Sequence, residues 1–143
     1  MKLIASAAVL VLMSLFWTFF NAETPYEQTD RIGQVTIVVI DESGTRVIED
    51  VLSFKEEDTL LSLLDERYTI SYSNTSIGRI LINFDPVETD FEMDYIQIRI
   101  TGILPRAHHE DRIMAYDLSP VGIDLIPLVD GNTYYFIYQK IGS

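Results

Sequence analysis

Two hydrophobic patterns alternate along the chain after an opening apolar run. Leu3–Phe20 is apolar throughout, broken only by Ser6, Ser14 and Thr18, with Lys2 before it. A run of about 18 residues behind a single cation fits either a secretory h-region or a short membrane span. Ala22 supplies the small residue for a cut before Glu23, although Phe20 is bulky for such a site. Residues 1–22 are therefore expected to be a signal peptide or a membrane anchor. Both place residues 23–143 outside the cytoplasm. Residues 23–33, ETPYEQTDRIG, are polar and aperiodic and read as a linker.

From Gln34 the pattern becomes that of short strands. QVTIVVI (34–40) is β-branched and apolar, as a buried strand requires. DESG (41–44) is a turn, and TRVIEDVLSF (45–54) returns, giving an N-terminal hairpin. Leu60, Leu61, Leu63 and Leu64 then form one face of a short helix, with Asp58 as the candidate N-cap. YTISYS (68–73) and GRILINF (78–84) are strands around a polar turn.

YIQIRIT (95–101) alternates most regularly. Tyr95, Gln97, Arg99 and Thr101 share one face, and Ile96, Ile98 and Ile100 share the core face. Residues 102–119 read as a long irregular loop, and such loops are often functional or mobile. Pro120-Val121-Gly122 turns the chain, 123–129 is extended, and Asp130-Gly131 turns again. The last strand, NTYYFIYQK (132–140), is apolar on both faces, which suggests a central position in the sheet. A hairpin, one helix and several short strands predict an α+β fold, with a β-grasp-like mixed or antiparallel sheet over residues 34–143.

Charge and composition narrow the function. The 143 residues carry 22 acidic against 10 basic side chains, a net charge of −12, and every acid lies after the leader. Such a surface repels phosphate backbones, so no nucleic-acid partner is expected. Membrane association is expected only through the N-terminal segment, if it is retained. The absence of cysteine excludes a disulfide framework and a cysteine lipid anchor.

Candidate chemistry is sparse. His108-His109-Glu110-Asp111 invites a metal reading, but adjacent histidines point to different sides of a helix or strand. Asp85, Glu88, Asp90, Glu92 and Asp94 offer oxygens to calcium without the EF-hand order or its glycine. A solvated loop is the expectation for both, and no metal or cofactor is assigned. Without a cysteine nucleophile, a G-x-S-x-G elbow or a glycine-rich phosphate loop, no catalytic residue is assigned and the chain is not expected to be an enzyme.

The order of these elements resembles the bacterial transcobalamin-like C-terminal domain family, related to the closing domain of intrinsic factor and transcobalamin. The resemblance rests on Asp58-Thr59-Leu60 before the helix, the Tyr68–Tyr72 strand, Gly78, Tyr95–Gly102, Val121-Gly122, and Asp130-Gly131 before the final aromatic strand. It spans roughly residues 34–139. In the carriers this domain covers one face of the corrin. The resemblance implies that Gln97 hydrogen-bonds ligand amides, that Tyr95 stacks on a flat ligand, and that Pro120 and Val121 make apolar contact. Two departures stand beside that site: Thr101-Gly102 in place of Asn-Gly, and the inserted 102–119 segment. The carriers also have a large helical domain that this chain has no length to supply.

The expectation is an exported, non-catalytic binding module. Its ligand would be a small molecule, cobalamin-like by resemblance, or a surface or transporter protein. The alternative is a structural or adhesive surface module with no small-molecule ligand.

Overall fold

A buried strand needs hydrogen-bonding neighbours on its edges, and the first strand has one on each. A computed structural model of the chain describes residues 32–76, 78–90, 92–105, 112–119 and 121–141. The expected leader and most of the linker fall outside them. No helix among the described residues is long and apolar enough to cross a membrane.

Strand β1 (Gly33–Ile40) buries Val35, Ile37, Val38 and Val39. It pairs antiparallel with β2 (Arg46–Phe54) through the predicted hairpin. Asp41 organises that turn. Its Oδ1 accepts from Ser43 N at 2.9 Å, Ser43 Oγ at 2.7 Å and Thr45 N at 3.0 Å, while Gly44 takes φ of +81°. These bonds, the Ser43 hydroxyl foremost, hold the Asp41 carboxyl below its usual range.

Helix α1 (Leu60–Arg67) buries all four predicted leucines. Its N-cap is Thr59, not Asp58. Ser62 N donates to Thr59 Oγ1 at 3.0 Å and Thr59 N donates to Ser62 Oγ at 2.8 Å, a reciprocal capping box. Asp58 instead closes the preceding turn by accepting from Lys55 N at 3.0 Å.

Strands β3 (Ile70–Thr75) and β4 (Gly78–Phe84) form a separate two-stranded antiparallel ribbon. Then come β5 (Asp94–Leu104), β6 (Arg112–Leu118), a 3₁₀ turn at Ile123–Leu125 and β7 (Thr133–Lys140). The predicted 102–119 loop is thus corrected at both ends: β5 runs on to Leu104, and Arg112–Leu118 is strand β6.

The main sheet has the order β2-β1-β7-β5-β6. β7 runs parallel to β1 and antiparallel to β5, so the strand apolar on both faces is the central one. One sheet face, the helix and the ribbon enclose the core. Tyr68, Phe84 and Phe136 stack through it with successive ring centroids 5.1 Å apart. Among the described residues the molecule is mostly sheet with one short helix, an α+β fold.

Candidate functional site: a groove on the open edge of strand β5

The two neighbours of β5 cover it unequally. β7 pairs with Asp94–Thr101, whereas β6 pairs only with Arg99–Leu104. No strand among the described residues therefore pairs with the second edge of Asp94–Ile98. The chain leaving β6 closes the top of the gap, where Ser119 N donates to Ile98 O at 2.8 Å.

A cavity of about 380 Å³ opens along this edge. β5 contributes Tyr95, Ile96, Gln97 and Ile98. Arg79, Ile80 and Leu81 of β4 form the opposite wall. Leu118, Ser119, Val121 and Gly122 close one end, and Ile141 also lines it. Most of these side chains are apolar, and Arg79 is the one charged residue among them.

The walls are fixed by tight local contacts. A Cβ on Gly122 would lie 2.7 Å from Arg79 O and 2.9 Å from Arg79 N, so only glycine lets the Val121-Gly122 turn rest on the start of β4. Asp124 Oδ1 accepts from Arg79 N at 2.8 Å and secures the same junction. Ser119 Oγ donates to Val121 O at 2.9 Å and holds the turn from the other side.

Gln97 is aimed by Arg99. Arg99 Nε donates to Gln97 Oε1 at 2.8 Å, and its Nη1 donates to Tyr116 O at 3.0 Å. The Arg99 guanidinium lies 5.2 Å from the Tyr116 ring centroid, and Tyr116 meets Tyr135 edge-on at 4.9 Å. Tyr116 has φ of +68° beside the bulge where β5 and β6 change register. With Oε1 occupied, the Gln97 amide NH₂ is left as a donor.

The core isoleucines behave as expected. Ile96 and Ile100 are buried and Ile98 packs against the core. Of the four site residues named from the resemblance, Tyr95, Gln97 and Val121 line this one cavity. Pro120 lies outside the described residues. Arg79, Leu118 and Ile141 were not singled out in the sequence. Leu118 had a signal, an outward apolar position in RIMAYDL, that becomes readable once this segment is taken as a strand.

The acidic loop is arranged by its own backbone. Asp90 Oδ1 accepts from Glu92 N at 3.0 Å and Met93 N at 2.9 Å, and those amides hold its carboxyl below the usual range. Asp94 Oδ1 accepts from Asp90 N at 2.8 Å, and its Oδ2 accepts from Tyr138 O–H at 2.6 Å. Among the described residues no group of three or more potential metal ligands gathers. His108 and His109 lie outside them.

No protein-family model matches the chain, and no curated protein matches it. Its fold is similar to a solved structure described as "a putative metal binding protein from Ruminococcus gnavus ATCC 29149". The TM-score is 0.52 at 17% identity, over 76% of this chain and 97% of that one. At that identity the likeness concerns the fold.

Proposed function

We propose that the chain is an exported, non-catalytic binding module of β-grasp-like, transcobalamin-like type, and that the groove beside β5 is its site. One observation carries this reading. Tyr95, Gln97 and Val121, the residues the family resemblance implicates, line a single apolar cavity, and Arg99 occupies the Gln97 carbonyl so that its amide NH₂ is left to donate. Such a site suits a ligand with an apolar body and carbonyl or amide acceptors at its rim. The β-grasp assignment is supported by the N-terminal hairpin, the last strand lying parallel to the first, and one helix over the core.

A cobalamin-like ligand follows from the family resemblance. A groove of about 380 Å³ is at the small end of ligand pockets and would cover only one edge of a corrinoid. Such a ligand would be captured loosely and handed on, as an uptake system at the bacterial surface requires. Export rests on the apolar Leu3–Phe20 run, and the product is either secreted or anchored on the outer face of the cytoplasmic membrane. The metal-binding description of the Ruminococcus gnavus protein finds no cluster of three ligands among the described residues here.

Equilibrium binding of cobalamin and cobinamide to the full chain in detergent micelles tests the reading, with Gln97→Ala as control. Saturable binding that Gln97→Ala weakens supports it. Absence of saturation at about millimolar ligand, a free energy near −4 kcal/mol, removes the corrinoid.

A second reading, a structural or adhesive surface module, is favoured by one feature. The edge strand β6 exposes Ile113 at 78% and Leu118 at 54%. Exposed edges with apolar side chains pair with other chains. Concentration-dependent self-association abolished by Ile113→Lys supports this reading, and a monomer at all concentrations removes self-pairing from it.

A further inference from the structure

The groove offers hydrogen-bonding groups in the pattern of a missing strand. Along an antiparallel strand, alternate residues turn both N–H and C=O toward the same edge. Ile98 turns toward the β6 side, because its carbonyl accepts from Ser119 N. Ile96 has the same parity, so its N–H and C=O, with the N–H of Ile98, face the groove. No strand among the described residues pairs with them. Main-chain groups in this position take a partner from water or from whatever enters the groove.

The charges beside the groove also select. No carboxylate lines it, and Arg79 does. In a chain of net charge −12, neither the Arg79 nor the Arg99 guanidinium forms an ion pair with a carboxylate among the described residues. Arg79 lies over Tyr72 at 5.1 Å, and Arg99 is held by Gln97 and Tyr116. The groove therefore complements an apolar, extended main chain that brings one negative group.

We infer that the groove is filled by an extended peptide segment of a partner protein, which adds as a short strand beside Tyr95–Ile98 and places a carboxylate near Arg79. The inference rests on the groove being the binding site and names its occupant. Main-chain hydrogen bonds to Ile96 and Ile98 supply affinity, and alternate side chains enter the apolar walls. The Gln97 amide takes a further carbonyl of the segment.

The test selects peptides with free carboxyl termini from a phage-displayed library against the full chain in detergent micelles. The most enriched peptide is then made with and without N-methylation of alternate amides. Strand addition predicts that the peptide slows hydrogen exchange at the Ile96 and Ile98 amides. It also predicts that N-methylation on the paired edge weakens binding about ten-fold, the worth of one or two hydrogen bonds. Arg79→Gln should weaken a carboxylate-bearing peptide by a similar factor and leave unchanged a form of it in which every carboxylate, terminal and side-chain, is replaced by an amide.

Enrichment no better than with the scaffold phage alone overturns the inference. So does a peptide that binds without protecting Ile96 and Ile98, or one indifferent to N-methylation at every position. A cobinamide titration of the same sample separates the two levels. Saturation by cobinamide with no enriched peptide leaves the groove as a site and removes the strand. Failure of both removes the groove.

Discussion

Asn132 pairs with Ile103 as a neighbouring strand would. Its Oδ1 accepts from Ile103 N at 2.8 Å and its Nδ2 donates to Ile103 O at 2.7 Å, from a position only 2% exposed. The side chain thus continues the β7–β5 ladder one step past Thr133, holding the outer half of β5 in register. Gly102 makes room for it: φ is +136°, and a Cβ there would lie 1.9 Å from Asn132 Oδ1.

Gly102→Ala should therefore destabilise the fold by about 2–4 kcal/mol, from overpacking and backbone strain together. Asn132→Ala should cost a similar amount, because it strands two main-chain groups of Ile103. Urea unfolding checks both, as a lowered midpoint at unchanged slope. A loss below about 0.5 kcal/mol in either would mean that this pairing does not hold β5.

Arg99 and Gln97 should act on ligand as one unit. Gln97→Ala removes the donor, and Arg99→Ala removes what aims it without lining the groove. Each should weaken ligand by up to about ten-fold, and the double variant little more than Gln97→Ala alone. Fully additive losses in binding titrations would show that Arg99 does not work through Gln97.

Tyr138 should mark the alkaline limit of the fold. Its hydrogen bond to Asp94, helped by desolvation, pushes its pKa up to about 12. The unfolded value is near 10, so the unfolded chain releases this proton first as pH rises. The stabilisation is complete below about pH 10 and is lost toward pH 12. The stability difference between the chain and Tyr138→Phe should be constant at neutral pH and shrink over that window. Tyrosinate absorbance of the folded protein should lack the corresponding step in Tyr138→Phe. Tyr68, raised by burial and by its bond to Asp50, shifts the same way and persists in that variant.

Thr59→Ala should cost about 1 kcal/mol, the usual worth of an N-cap. Asp58→Ala should cost less, because Asp58 closes a turn outside the helix. Equal costs in thermal unfolding would contradict the placement of the cap.

Where a segment was β-branched and apolar, alternated strictly, or was apolar on both faces, the fold was legible. QVTIVVI, YIQIRIT and the two-faced YYFIY segment gave β1, β5 and the central β7, and four leucines gave the helix. β6 was hidden because the bulge at Tyr116 adds one residue, so RIMAYDL never alternates cleanly. The N-cap was misplaced because Thr59 and Ser62 cap each other, and serine at that position is a weaker signal than Glu or Gln. Three of the groove residues came from the family resemblance. Arg79, Leu118 and Ile141 reach the groove only through tertiary placement of β4, β6 and the end of β7, which local pattern does not encode.

The most direct measurement is a map of backbone amide shifts as cobinamide is added to the full chain in detergent micelles. Binding in the groove predicts saturable shifts at Arg79, Tyr95, Gln97, Leu118 and Val121 together, with the Asp41 turn at the far side of β1 unmoved. Shifts scattered over the surface, or none at about millimolar cobinamide, would contradict a small-molecule site on the open edge of β5.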